Sequence, residues 1–492
     1  MSPAASAGGA IRRHELFSSR WALVLAALGM AVGTGNIWRF PRVAAANGGG
    51  AFLIPWLAAL FLWSIPLLMV EFALGKKARR GTIGAFALVV GPGKAWMGGF
   101  VGLCTLAIMF YYSVVAGWCL RYFLVTLRGP LAGDAEASWT AFAGSGSWLP
   151  VFFHGAALCM GLMIIDRGVV RGIERANRIL IPTLFLLLVV AAIRAVTLDG
   201  AGRGLDFLFS VDMARLRDVR VWLEALSQSA WSTGAGWGLI LTYACYMRQQ
   251  DGVAMNSLIA GLGNNSASLL AAIAIVPTVF AFLPAHEAME VMNAGNNGLA
   301  FIWIPRLFAD MSGGRVLAPV FFLALAVAAL SSLIAMLELG VRLLMDGGLG
   351  RRPALILLGT TAFLMGIPSA LSMDVFNNQD WVWGVGLLVS GLFIALGALI
   401  YGVDRFRREC INDAGADVLV GPWLNGVLAV LIPLEFAAML GWWFYQSMTT
   451  YDPGGWWNPI HVFSVGTCLL QWGMVLGLLL LFNRRLARWS TR

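Results

Sequence analysis

Charged residues are scarce in this 492-residue chain. Asp, Glu, Lys and Arg together make up 12% of it, about half the share of an ordinary soluble domain. Set against 59% hydrophobic residues and a mean hydropathy of +0.78, that scarcity excludes large soluble domains. Cysteine is also sparse. Cys104, Cys119, Cys159, Cys245, Cys410 and Cys468 lie mostly in apolar stretches, with no CxxC and no histidine at ligand spacing, which argues against a zinc site and a disulfide framework. Acids number 25 against 34 bases, a net charge of +9. The bases sit in short segments between apolar runs, so they read as topology signals and not as a nucleic-acid surface. The segment HEAME from His286 carries Glu290 where a zinc-protease helix needs its second histidine. No glycine cluster fits a phosphate loop. No cleavable signal peptide is expected, because the first apolar run starts near Trp21 and leads into further runs.

What the chain has in abundance is apolar stretches of spanning length. They run from about Trp21 to Phe40, Phe52 to Leu74, Trp96 to Leu127, Val151 to Ile165, Leu180 to Val196 and Trp222 to Met247. A second set runs from Ser257 to Phe282, Val316 to Met345, Ala354 to Leu371, Trp381 to Tyr401, Trp423 to Tyr445 and Val462 to Phe482. A spanning helix takes roughly 20 residues, so the expected fold is an all-α integral membrane protein of about twelve transmembrane helices. Transmembrane barrel strands are shorter and alternate, which excludes that class. Arg12, Arg13, Arg20, Lys76, Lys77, Arg79, Arg80, Arg167, Arg171, Arg175, Arg178, Arg351, Arg352, Arg405, Arg407, Arg408, Arg484, Arg485, Arg488 and Arg492 fall on one side. The positive-inside rule then places both termini in the cytoplasm. The polar outer loops from Arg128 to Leu149 and from Asp199 to Arg220 are expected to be solvated caps.

Two of these stretches are unsuited to a continuous lipid-facing helix. The first contains LGMAVGTGNIWRFP, with Gly29, Gly33 and Gly35 in mid-span. The sixth contains SQSAWSTGAGWG, with Gly234, Gly236 and Gly238 at the corresponding place. Non-helical backbone at this depth is tolerated only where it is buried in protein or lines a cavity. Unwinding frees carbonyl oxygens for a cation and turns half-helix N–H groups toward an anion. Paired breaks in two halves therefore point to a transporter site. Close helix packing by small residues is the alternative use of such glycines.

The segment AVGTGNIWRFPRVAAANGGGAFLIPW resembles the first-span signature of the neurotransmitter:sodium symporter family, bacterial amino-acid branch. FYYSVVAGW in the third span, LTYACY after the second break, and Gly172 with Pro182 spaced as a fifth-span Gly-x9-Pro motif extend the resemblance over nearly the whole chain. It implies an inverted pair of five-helix repeats with helices 1 and 6 broken: a first repeat over 21–197 and a second over 219–402. Residues 1–20 would form a cytoplasmic tail, 421–483 the peripheral helices 11 and 12, and 484–492 a second tail. A multi-pass protein of the bacterial inner membrane follows.

The resemblance also implies roles. A first Na+ site would draw on Ala31, Asn36, Ser232 and Asn264, and a second on Gly29, Val32, Ala328, Ser331 and Ser332. All offer the oxygen ligands a hard cation requires. An amino-acid substrate would lie against Ala31, Gly33, Thr34, Gly35, Ile108, Tyr112, Val115, Trp231, Ser232, Gly234, Trp237, Ser332 and Met336. Its carboxylate would meet the N–H groups of Thr34 and Gly35 and the Tyr112 hydroxyl. No acid or base projects from that set, so a neutral, hydrophobic amino acid is expected. Arg39 and Asp380 would form an outer gate above an aromatic lid of Tyr112 and Trp237. Asp346 and Tyr246 would form an inner gate with Arg13, Arg12 or His14, Phe17 standing where the family has Trp. Gly172 and Pro182 would open an inner water path.

Ser268 stands where chloride-independent bacterial relatives carry an acid. Gln228, Ser232 and Ser268 are thus possible chloride ligands, but Trp56 replaces the second-span Tyr, and weak or absent chloride dependence is expected. Glu71, Glu338 and Glu435, in or at the ends of spans, are candidate pathway residues or hydrogen-bond anchors. The function implied is Na+-coupled amino-acid symport across the lipid bilayer, with no chemistry catalysed. A proton-driven transporter of the same architecture and a transport-deficient substrate sensor are the alternatives.

Overall fold

The computed structural model describes residues 15–129, 134–144 and 146–491, and among these it contains helices and loops but no strand. We number the membrane helices in chain order. α1 (Arg20–Ala31) and α2 (Thr34–Ala46) make the first span and meet at a bend of 67°. α3 (Gly50–Ala78), α4 (Pro92–Thr126), α5 (Leu149–Asp166) and α6 (Val169–Val196) complete the first half. The sixth span is divided into α7 (Val219–Ser232) and α8 (Leu239–Ala244). Then follow α9 (Val253–Phe282), α10 (Gly314–Asp346), α11 (Arg351–Leu371), α12 (Met373–Tyr401), α13 (Trp423–Tyr451) and α14 (Val465–Leu481).

Among the described residues, nine helices are long and apolar enough to cross a membrane, or eleven if each of two bent pairs counts as one span. The sixth expected span is absent from that count because neither α7, with 14 residues, nor α8, with six, can cross alone. The interruption is the feature that sequence reading placed there. α10 is central, 83% buried over its apolar window, whereas α13 is only 22% buried and lies at the periphery.

The three glycines of the first span serve three purposes. Gly33 lies in the break. Gly29 lies inside α1, where an added Cβ would sit 2.0 Å from the Asn177 side chain of α6. Gly35 has no atom near that position and faces open space. In the second break, Gly234, Gly236 and Gly238 all adopt left-handed φ angles of 71°, 88° and 74°, a region costly to other residues.

One expectation is corrected at the rims. The outer loops are not simply solvated caps. Ala135–Ala143 and Ala201–Phe209 are helices that dock on the core, with Trp139 stacked on Phe301 at 4.9 Å and Phe207 on Phe280 at 5.0 Å. Aromatic burial repays the ordering of these segments. The segment after α14 packs on the core as well. Asn483–Ser490 forms a helix turned 69° from α14, tied back where the Asn483 side chain accepts from the Trp96 N–H at 2.9 Å.

Candidate functional site

The two breaks meet at one cavity of about 420 Å3. All thirteen residues read from the sequence as substrate contacts line it, from Ala31, Gly33, Thr34 and Gly35 on the first span to Ser332 and Met336 on α10. α4 contributes Ile108, Tyr112 and Val115 to one wall. Trp231, Ser232, Gly234 and Trp237 come from the second break. At the head of α2, the Thr34 N–H donates to the Tyr112 hydroxyl at 3.4 Å. A helix N-terminus facing a cavity beside a phenol is suited to a carboxylate.

Below this, the polar side chains converge on Asn36. Its Nδ2 donates to Asn264 Oδ1 at 2.7 Å, to Ser268 Oγ at 2.8 Å and to Ser232 Oγ at 3.0 Å, while its Oδ1 accepts from the Gly33 N–H at 2.9 Å. Asn264 Oδ1 also lies 2.9 Å from the Ser232 carbonyl oxygen and 3.1 Å from the Ala31 carbonyl oxygen. Two backbone oxygens and an amide oxygen thus face one another. Turning the Asn264 amide would let its Nδ2 donate to both carbonyls. A neutral, all-oxygen set of this kind fits a monovalent hard cation. Ala31, Ser232 and Asn264 supply these oxygens, whereas Asn36 turns its Nδ2 into the cluster and its Oδ1 to the Gly33 N–H.

The second set is less convergent. Ser332 Oγ reaches across to α1 and donates to the Met30 carbonyl at 3.2 Å and the Gly29 carbonyl at 3.5 Å. Ser331 Oγ instead bonds back to the Ala328 carbonyl at 3.0 Å, as serines in helices commonly do. Val32 closes α1 with extended backbone, φ −81° and ψ 90°. Every oxygen in this set is neutral, which again fits Na+.

The second break is held by side chains from three other helices. Glu71 of α3 accepts from the Gly236 N–H at 2.5 Å and the Leu241 N–H at 3.3 Å. Thr105 of α4 donates to the Trp237 carbonyl at 2.5 Å, and Ser390 of α12 donates to the Gly236 carbonyl. A Cβ on Gly236 would fall 2.7 Å from Gly391 Cα. These contacts assign Glu71 the anchoring role. Sequence offered no signal for Thr105 or Ser390, since their partner atoms are backbone groups 132 and 154 residues away.

Arg39 and Asp380 both line the cavity mouth, but they form no ion pair among the described residues. Arg39 Nη1 donates to Gln228 Oε1 at 2.6 Å, and its guanidinium lies 4.1 Å from the Trp231 ring centroid. The aromatic beneath the arginine is therefore Trp231, which stacks on Trp443 at 5.1 Å. The Gln228 oxygen is engaged by Arg39, while Ser232 and Ser268 are joined through Asn36. The Trp56 indole N–H is buried without an acceptor among the described residues.

The inner side is sealed. Phe17 is 1% exposed, its ring edge-on to Tyr243 and Tyr246 and its N–H donating to the Tyr246 carbonyl at 3.0 Å. Tyr246 donates to Glu338 at 2.6 Å, and Glu338 also binds Arg351 at 2.7 Å. Asp346 binds Arg342 at 2.7 Å and accepts from the Gly81 N–H at 2.6 Å, with Arg80 at 3.4 Å. Arg12, Arg13 and His14 lie outside the described residues. The i,i+4 spacing of Arg342 and Asp346 was a readable signal. The 13-residue separation of Glu338 and Arg351 was not. Gly172 sits in a π-helical turn over Val169–Glu174, and a Cβ there would meet the Ile164 carbonyl oxygen at 2.1 Å. Pro182 lies ten residues further along α6.

A bundle with two broken helices, a cavity at the breaks and oxygen clusters beside it defines a transporter fold. The chain belongs to the sodium:neurotransmitter symporter family, whose sequence profile matches residues 14–144 and 153–486. It is 28% identical over 457 residues to a sodium-dependent transporter of Methanocaldococcus jannaschii, covering 87% of this chain and 90% of that one. It is 33% identical over 370 residues to the sodium-dependent transporter YhdH of Bacillus subtilis, covering 74% and 80%. The mouse sodium-dependent neutral amino acid transporter B(0)AT3 is 27% identical over 479 residues, covering 78% and 77%. The crystal structure of MhsT in complex with L-phenylalanine superposes with a TM-score of 0.76 at 32% identity, covering 86% of this chain and 98% of that one. The family is one of transporters, not enzymes, and implies sodium dependence; the chain is a multi-pass membrane protein.

Proposed function

We propose that this protein is a Na+-coupled symporter that imports a neutral, hydrophobic amino acid into a bacterial cell through the inner membrane, with both termini cytoplasmic. The ten-helix core over 21–402 would alternate access around the cavity, and helices 11 and 12 over 421–483 would be peripheral. The observation that carries this reading is that Ala31 and Ser232 belong at once to the cavity lining and to the oxygen cluster around Asn264. A substrate carboxylate placed at the α2 N-terminus would lie beside a cation in that cluster. Each ligand then raises the other's affinity by the same factor. Ile108, Val115 and Met336 with the indoles of Trp231 and Trp237 would enclose an apolar side chain.

The outer route would pass Arg39 and Asp380. The inner route would open when Phe17 leaves Tyr246 and the α6 turn at Gly172 unwinds. Entry of each Na+ down the membrane potential adds about 2.3 kcal/mol per charge per 100 mV. The test is uptake of labelled phenylalanine and leucine by proteoliposomes, with Na+ or K+ outside. Uptake only with an inward Na+ gradient supports the reading. Equal uptake driven by a proton gradient in K+ would replace it with the proton-driven alternative, and Na+-dependent binding without accumulation would indicate a sensor.

A further inference from the structure

The strongest feature outside the transport site is a basic groove at the foot of α6, on the side where Phe17 and Ser18 seal the core. It encloses about 610 Å3 and is lined by Arg167, Val170, Arg171, Glu174, Arg175, Arg178 and Ile179. Four guanidinium groups face one carboxylate there. That carboxylate, 3% exposed, is already engaged: Arg178 donates to it at 2.7 Å, and Ser18 donates through its N–H at 3.0 Å and its hydroxyl. The neighbouring Glu15 accepts from the Val169 N–H at 2.9 Å. Arg167, Arg171 and Arg175 form no ion pair among the described residues.

The placement of these arginines says what would neutralise them. They recur at four-residue spacing, and Arg171 and Arg175 share a helix face with Ile179, Leu186 and Ile193, which are 61%, 62% and 58% exposed. That face is apolar and outward along the length of the span, so it is the face that meets lipid tails. Its continuation beyond the tails is a row of unpaired cations at headgroup depth. Arginine binds phosphate oxygens through paired N–H groups, and basic pockets beside membrane helices suit anionic headgroups.

We propose that this groove binds an anionic phospholipid, with the phosphodiester against Arg167, Arg171 and Arg175 and an acyl chain along Ile179 and Leu186. Placing the groove in the cytoplasmic leaflet rests on the topology proposed above, but the binding itself does not. The lipid would be seated one turn from Gly172 and beside the Glu174–Ser18 clasp.

The test uses the full-length protein in a non-ionic detergent. Its thermal midpoint is titrated with short-chain phosphatidylglycerol, with phosphatidylcholine of the same chain length, and with inorganic phosphate. The concentration for half-maximal stabilisation should be at least tenfold lower for phosphatidylglycerol than for either other probe. In R171Q/R175Q it should rise tenfold or more, whereas R484Q/R485Q/R488Q, a basic control at the other chain end, should change it less than twofold. R171Q alone, expected to raise it about threefold, serves if the double variant does not fold. Equal effects of the two lipids, equal potency of inorganic phosphate, or equal loss in the control variant would each overturn the proposal.

Discussion

Arg39 and Gln228 meet at 2.6 Å at the cavity, with the guanidinium 4.1 Å from the Trp231 ring centroid, and the arginine forms no ion pair with Asp380, which lines the same cavity. The outer gate therefore has an alternative partner set for its cation. On the gating proposed above, closing would exchange a neutral amide and an indole face for a carboxylate. R39K keeps the charge but loses the flat stacking surface, worth about 0.5–2 kcal/mol. Transport by R39K and by D380N should fall at least tenfold in rate, with equilibrium substrate binding changed less than threefold. A proportional loss of binding would show that these residues hold substrate and do not gate it.

The oxygen cluster yields a second prediction. In N264A one oxygen leaves the set around Ala31 and Ser232, and the Na+ concentration for half-maximal uptake should rise at least tenfold, about 1.4 kcal/mol. S331A, whose hydroxyl is satisfied by its own helix, should have a smaller effect than S332A, which loses the bridge to α1. The reverse order in a Na+ titration would reject the arrangement described for the second set.

The glycines of the second break should not be equivalent. G236A places a Cβ 2.7 Å from backbone at Gly391, whereas G234A meets the end of the flexible Met30 side chain at 2.5 Å. Both also bear about 1–2 kcal/mol of left-handed strain. G236A should be the less stable protein by thermal unfolding, and M30A should restore part of the loss in G234A but none in G236A.

At the inner seal, R351Q leaves Glu338 fully buried with only the Tyr246 hydroxyl for company. Removing one member of a buried pair is strongly destabilising, on the order of 3–5 kcal/mol. The double variant E338Q/R351Q should recover a large part of that loss, because an amide in place of the carboxylate no longer requires a counter-charge. A double variant as unstable as R351Q would mean that Arg351 acts chiefly through its bond to the Ile165 carbonyl at 3.0 Å.

Chloride removal should lower uptake by less than half. Trp56 supplies a single indole N–H where a hydroxyl is expected, and it is buried without an acceptor among the described residues. Loss of most activity in gluconate medium would refute this.

Apolar run length determined the membrane class, because a spanning helix must satisfy its backbone internally and shield it with some twenty apolar side chains. The breaks were equally legible, since glycine clusters have few uses in mid-span; the cavity residues of α4 and α10, such as Tyr112 and Ser332, were legible only through the resemblance to the family. Which polar groups meet between helices far apart in sequence was decided by the tertiary structure alone. Arg39 takes Gln228, Tyr246 takes Glu338, and Glu71 takes the backbone of the second break, through partners 189, 92 and 165 residues distant. A hydrogen bond depends on angstrom-scale placement, and sequence patterns of period 3.6 record only which face of a helix is buried, not which atom of another helix it will meet.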